Sequence, residues 1–325
     1  MTPAQMTPSQ MTPVLRGLRN RVWLVTLSAL IALFVINWML QPNLVTPNVL
    51  KSNLTVFLPV VLVAIGQSYV ILGGDIDLSV GSIVALVNVV TVSVIAALGG
   101  GVPAIFAGMA AGIITGLACG LINGLLIAGL RFQAIVTTFA TGIIFGGLAL
   151  RILPTAGLPV PAEYWRTYGG NVLGLPMVLW VLILALVIIA IISRRPFIKH
   201  LSAVGGLRQS AFQSGLPVAR IRILAYVLAG LFAAFASLCL TGETASGDPL
   251  MGRLLALSSI SAVVLGGAAL AGGSGSAFGA VLGALVLGMI GNVIFFARFP
   301  FEYQTLIQGL ITLLALAGGV LVARR

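Results

Sequence analysis

Asp75 and Asp77 stand two residues apart in the stretch VILGGDIDLSVG, residues 70–81, and Ser79 follows at the same interval. Two carboxylates and a hydroxyl at that spacing suit two kinds of chemistry. At a helix start they accept hydrogen bonds from free backbone N–H groups and meet the positive end of the helix dipole. Inside a membrane they line a polar path, because a carboxylate at a helix centre costs about 2.5–3.5 kcal/mol and must face water, a partner or a cavity. Gly73 and Gly74 before the pair and Gly81 after it mark a break between two apolar runs. Irregular backbone at membrane depth needs protein or cavity water to satisfy it. Asp77, with Ser79, is expected to cap a helix beginning near Leu78; the alternative is a polar group on a translocation path. Asp75, on the broken side, is expected to be the more exposed of the two.

Other reactive residue types are sparse. Cys119 and Cys239 both lie within apolar segments without a metal or disulfide spacing, and read as small buried residues. His200 falls in a basic stretch and reads as a surface residue. GGSGSAFG lacks the Lys-Ser/Thr pair that completes a phosphate-binding loop, so ATP is not expected to be bound and hydrolysed by this chain. No nucleophile–base pattern appears. The expectation is therefore a chain with no catalytic residue, no metal site and no cofactor of its own.

These residues must be held by membrane helices. With 59% hydrophobic and 7% charged residues and a mean hydropathy of +1.17, a chain of 325 residues has too little polar surface to cover a water-soluble globule. The excess of 17 Lys+Arg over 6 Asp+Glu is then a statement about membrane topology rather than about nucleic acid, which is not an expected partner. Apolar runs near the ~20 residues a bilayer requires occur at 22–40, 54–72, 82–98, 103–128, 132–152, 176–193, 222–241, 254–270, 277–297 and 304–323. Ten spans bring the N-terminal Arg16, Arg19 and Arg21, Arg131, the group from Arg194 to Arg222, and Arg324–Arg325 to one side, which the positive-inside rule makes cytoplasmic. Both termini are expected there. Residues 1–21, with the repeat MTPAQMTPSQMTP, read as a disordered cytoplasmic tail, and 22–323 as one transmembrane domain with a cytoplasmic loop at 194–222.

Glycine is the second signal. Gly108, Gly112, Gly116, Gly120 and Gly124 recur every four residues, forming a smooth stripe on which another backbone can lie closely, and Gly275, Gly279 and Gly283 repeat the device. The stripe reads as a helix-packing face.

The stretch AIGQSYVILGGDIDLSVGSIVAL resembles the signature of the membrane subunits of ribose-type ABC importers, with Ile76 to Gly81 matching and Asp75 in place of the family's usual Gly. RFQAIVTTFAT, SAVGGLRQSAFQSGLPVARIRILAYVLAGLFAAFAS and ISAVVLGGAALAGGSGSAFGAVLGALVLGMI are similar to later blocks, so that the resemblance runs over nearly the whole chain after about residue 25. It implies an all-α, type II-like permease. Two such permeases pair, as identical or paralogous copies, two cytoplasmic ATP-binding subunits carry ATP and Mg, and a periplasmic binding protein delivers a small polar ligand to the bacterial inner membrane. It also implies that Ala203, Gly205, Gly206, Arg208, Ser214 and Gly215 belong to the loop that docks the ATPase. Leu207, Gln209 and Ser210 depart from that loop's usual residues. Residues 256–260, Ala-Leu-Ser-Ser-Ile, lack two acids the family often has, in the manner of permeases for rhamnose-type sugars and for a furanosyl autoinducer. A stand-alone secondary transporter is the rival class; it requires ion-coupling groups inside the spans and an inverted repeat, and beyond the Asp75/Asp77 pair neither is found.

Overall fold

The computed structural model describes residues 22–300 and, beyond them, Tyr303, Leu306, Ile307, Gly309, Leu310 and Leu313. The expected tail at 1–21 and nearly all of the expected span at 304–323 lie outside the described residues.

Between residues 22 and 300 twelve α-helices follow one another: α1 Val22–Leu40, α2 Pro47–Leu72, α3 Val80–Ala97, α4 Gly101–Gly124, α5 Ala134–Ile152, α6 Ala162–Gly169, α7 Met177–Ser193, α8 Pro196–Gly206, α9 Arg208–Gln213, α10 Val218–Thr244, α11 Leu255–Leu265 and α12 Ala277–Phe296. Helix α4 runs on through a wider π-type turn at Leu125–Gly129. Among the described residues six helices, α2, α3, α4 with its π-turn, α5, α10 and α12, are long and apolar enough to cross a membrane. The pair α7–α8, bent by 74° after Ser193, makes a seventh if counted as one span.

Two expectations change. The run at 254–270 is not a full span: α11 ends at Leu265, and the chain turns back through Gly267, Gly272, Gly273 and Gly275, all at positive φ. Apolar composition there reflects burial, because α11 packs between α12 and α2. The segment 194–222 is not an open loop either. It is α8 and α9 followed by the first turns of α10, whose start at Val218 puts Arg220 and Arg222 on a helix.

Helix α10 is the centre of the bundle, packed on α2, α3 and α4. Phe232, Ala229, Ala233 and Ala236 on it are fully buried, and α2 is buried from Phe57 to Leu72 except at the half-buried Val60. Small residues on α10 let neighbouring backbones approach without separating helices, which is how membrane helices gain contact when lipid is as apolar as they are. At one end of the bundle, β1 (Leu158–Pro159) pairs antiparallel with β4 (Ser246–Gly247), and β2 (Asn171–Val172) with β3 (Leu175–Pro176). Lys51 Nζ donates to the Gly169 carbonyl at this end, and Tyr164 Oη donates to Leu238 O at 2.9 Å, seating α6 on α10.

Candidate functional site

Helix α2 ends in a pair of backbone hydrogen bonds set by one glycine. Gly74, at φ +78°, donates to Ile71 O at 2.9 Å, and Asp75 N donates to Val70 O at 3.1 Å, a Schellman closure in which the left-handed residue is the glycine that adopts it without a Cβ clash. The carbonyls left over are met from elsewhere. Leu72 O accepts from Gly273 N at 3.0 Å, and Gly74 O from Arg208 Nη2 at 2.9 Å. A cation at this end also meets the negative pole of the α2 dipole.

Asp75 is buried, at 6% exposure, and sits between two arginines. Its Oδ1 accepts from Arg208 Nη2 at 2.5 Å and from Arg222 Nη2 at 3.0 Å, and its Oδ2 accepts from Arg222 Nε at 2.9 Å. Asp75 is the more exposed of the two carboxylates, as expected, but at 6% against 0% for Asp77 both are buried, and Asp75 faces arginines rather than open water. Arg222, on α10 and 147 residues away in sequence, reaches it with a two-pronged contact.

Asp77 is fully buried and meets no cation among the described residues. Its Oδ1 accepts from Ser79 N at 2.8 Å and from Ser79 Oγ at 2.6 Å, while Oδ2 has no partner. Helix α3 starts at Val80 with Ser79 as its N-cap, and no side chain caps its free N–H groups. The expected cap is thus corrected: Asp77 fixes the residue before the helix, not the helix's own first N–H groups. Asn123 Nδ2 donates to Ser79 Oγ at 2.7 Å and Thr141 Oγ1 to Asn123 Oδ1 at 2.7 Å, so the network reaches α4 and α5. Thr138 Oγ1 accepts from Leu78 N at 3.1 Å. Burial pushes the Asp77 carboxyl above its ordinary range, with the hydrogen bonds from Ser79 acting the other way.

Removing the Asp77 carboxylate strands the buried Ser79 N–H, and Asp77→Ala is expected to cost about 1–3 kcal/mol. Asp77→Asn keeps the Oδ1 acceptor and gives up only the unpartnered Oδ2, so it should melt close to the parent. Thermal unfolding in detergent ranks the three proteins, and an Asn variant as weak as the Ala variant would show that charge, not the Oδ1 acceptor, matters.

Gly81 lies against Gly252, so closely that an added Cβ would collide with the Gly252 carbonyl. The glycine stripe of α4 is buried throughout, and it divides between two partners. Gly108 and Gly112 lie on α3, where a Cβ at Gly108 would come within 2.7 Å of Thr91 O. Gly116, Gly120 and Gly124 lie on α10, where Cβ atoms at Gly116 and Gly124 would come within 2.6 Å of Gly230 O and 2.9 Å of Ile223 Cα.

The residues proposed for docking sit on α8 and α9. Gly205 touches the α2 terminus: a Cβ there would strike Leu72 O and lie 2.7 Å from Gly273 N. Ser202 Oγ donates to Gly273 O alongside. Gly206 has open space on its free side, Ala203 is exposed, and Gly215 closes α9 at φ +81°, with Ser214 Oγ donating to Ser210 O at 2.9 Å. Asp75, Gly73, Gly74 and Arg208 therefore form one junction with Gly205, while Asp77 and Ser79 belong to a second network, directed at α4 and α5. Sequence reasoning missed Asn123, Thr138 and Thr141; the signal was three polar residues within otherwise apolar helices. It read Arg222 as part of a basic loop, because its carboxylate partner is remote in the chain. Among the described residues no three His, Cys, Asp or Glu side chains gather where a metal could sit.

Residues 49–316 match the family described as branched-chain amino acid transport system / permease component. The chain is 37% identical over 258 residues to the ribose import permease protein of Bacillus subtilis (strain 168), covering 78% of this chain and 79% of that one. It is 33% identical over 304 residues to the L-arabinose ABC transporter permease protein of Azospirillum brasilense, covering 91% and 88%. It is 33% identical over 307 residues to the ribose import permease protein of Escherichia coli (strain K12), covering 91% and 94%. A bundle of apolar helices and this extent of likeness make the chain a member of the ABC-type permease-component family, a multi-pass membrane transport subunit and not an enzyme.

Proposed function

We propose that this chain is the membrane-spanning permease of an ATP-driven importer for a monosaccharide. The observation that carries the reading is the likeness, along 91% of the chain, to permeases named for ribose and arabinose. In this reading the protein has a type II-like architecture of about ten spans with both termini in the cytoplasm of a bacterium and its spans in the inner membrane. It pairs with a second permease, its own copy or a paralogue. Separate cytoplasmic subunits bind ATP and Mg, and a periplasmic binding protein hands over the sugar. Helices α8 and α9 are the ATPase contact: Leu207 and Phe212, 63% and 72% exposed, offer apolar side chains to a partner groove, and Gly206 permits close approach.

Inside-out and right-side-out vesicles carrying the full set of subunits test this with labelled ribose and arabinose. Uptake that requires ATP and the binding protein supports the reading. Uptake driven by an ion gradient without ATP sinks it in favour of a secondary transporter.

A substitution at the contact gives a sharper result. Gly206→Trp is expected to leave the permease inserted and about as stable as the parent, since an added Cβ there points into open space, while ATP hydrolysis no longer drives uptake. Normal transport by this variant removes the docking assignment.

A further inference from the structure

Between the helix break, the α4–α5 turn and α9 lies a cleft of about 530 Å³, lined by Asp75, Ile127, Arg131, Gln133, Arg208 and Arg222 among others. Three arginines and one carboxylate line it, leaving two positive charges in excess, and two of the arginines pair with that carboxylate. Arg222 is a built-in wall rather than a surface group, at 8% exposure.

The arginines are only partly used. Arg208 makes all its contacts, to Asp75 and to the Gly73 and Gly74 carbonyls, through Nη2; its Nη1 and Nε have no partner among the described residues. Arg222 gives Nε and Nη2 to Asp75, and its Nη1 reaches only Ile127 O, at 3.5 Å, the limit of hydrogen bonding. Arg131 forms no ion pair among the described residues. The first turn of α5 opens on the same space: Gln133 is its N-cap and makes no side-chain cap bond, so the N–H groups of Ala134 and Ile135 add donors to the cleft wall. Unused donors from three arginines and a helix start converge, and Asp75, the one acid present, is already shared by two of them.

We propose that this cleft binds a phosphate group, as a phosphodiester or phosphomonoester. Phosphate supplies several oxygens in the geometry that guanidinium forks and backbone N–H groups recognise, and it carries the charge that the cleft lacks. Phe132 and Ile135, 53% and 46% exposed, give the cleft an apolar lip on which the chains of an anionic phospholipid can lie. A free phosphorylated solute offers the same chemistry without that lip. The site is independent of the importer reading, since it requires only the folded chain.

The test uses the purified full-length chain, delipidated in a neutral detergent. Thermal unfolding and native mass spectrometry are followed during titration with phosphatidylglycerol, with inorganic phosphate and with uncharged diacylglycerol. Phosphatidylglycerol is expected to bind saturably and raise the unfolding temperature, and diacylglycerol to do neither. Arg131→Gln, which leaves both Asp75 ion pairs in place, should weaken binding by about tenfold, the loss of one charge-assisted contact. Arg220→Gln, a basic residue outside the cleft, should leave it unchanged. Saturable stabilisation by inorganic phosphate equal to that by the lipid assigns the site to a soluble phosphate, whereas a response to the lipid alone assigns it to the membrane. Equal weakening in the Arg131 and Arg220 variants, no weakening in Arg131→Gln, or no saturable binding of either probe overturns the proposal.

Discussion

Asp75→Gly is expected to be severely destabilised, although glycine is the residue that ribose-type permeases usually carry at this position. Arg222, whose side chain is 10% exposed, is neutralised by Asp75 through two nitrogens, and removing the carboxylate leaves a buried guanidinium whose one remaining partner among the described residues is the Ile127 carbonyl at 3.5 Å. Breaking a buried pair from one side costs about 3–5 kcal/mol. Arg208 contributes little to that loss, since its side chain is 44% exposed and turns to water. Removing both charges should undo most of the damage. Asp75→Gly combined with Arg222→Met replaces the pair by an apolar chain of similar length, and is expected to melt well above Asp75→Gly alone. Thermal unfolding of the two single variants, the double variant and the parent measures the coupling directly. An Asp75→Gly protein as stable as its parent would mean that water reaches Arg222 and that the ion pair contributes nothing.

Gly116→Leu should be strongly damaging to the bundle. The first added atom already falls 2.6 Å from Gly230 O and 2.8 Å from Ala234 Cβ, and the contact on one side is backbone, which cannot rotate away. The helices α4 and α10 must separate to admit the side chain, and α10 is also the packing surface for α2 and α3. Overpacking in a well-filled core costs about 1–3 kcal/mol where side chains can give way, and more where the obstacle is a carbonyl. Gly147→Leu, on α5 with open space around it, is the control and should be tolerated. Loss of the folded, monodisperse protein in detergent for Gly116→Leu beside a normal Gly147→Leu is the expected outcome. Two normal variants would show that α4 and α10 are not in contact in the membrane.

The sequence by itself determined the class of protein and most of its long helices, because the length of an apolar run against the thickness of a bilayer is a local property. It also determined where α2 must stop, since Gly73–Gly74 permits a left-handed turn, and which face of α4 packs, since a four-residue repeat of glycine leaves one smooth side. What that face packs against was not written locally: Gly108 and Gly112 meet α3, whereas Gly116, Gly120 and Gly124 meet α10, more than 90 residues further on. The apolar run at 254–270 looked like a span because burial within protein and burial in lipid select the same residues; only the glycine turns after Leu265 and the packing on α12 made it a half-length helix. Tertiary structure also decided the roles of the two aspartates. Their chemistry depends on whether a cation lies within about 3 Å, and the chain brings Arg222 to Asp75 across 147 residues while leaving Asp77 with Ser79 and, through it, Asn123. Spacing along a sequence cannot encode such a pairing, because it exists only when separate helices share one surface.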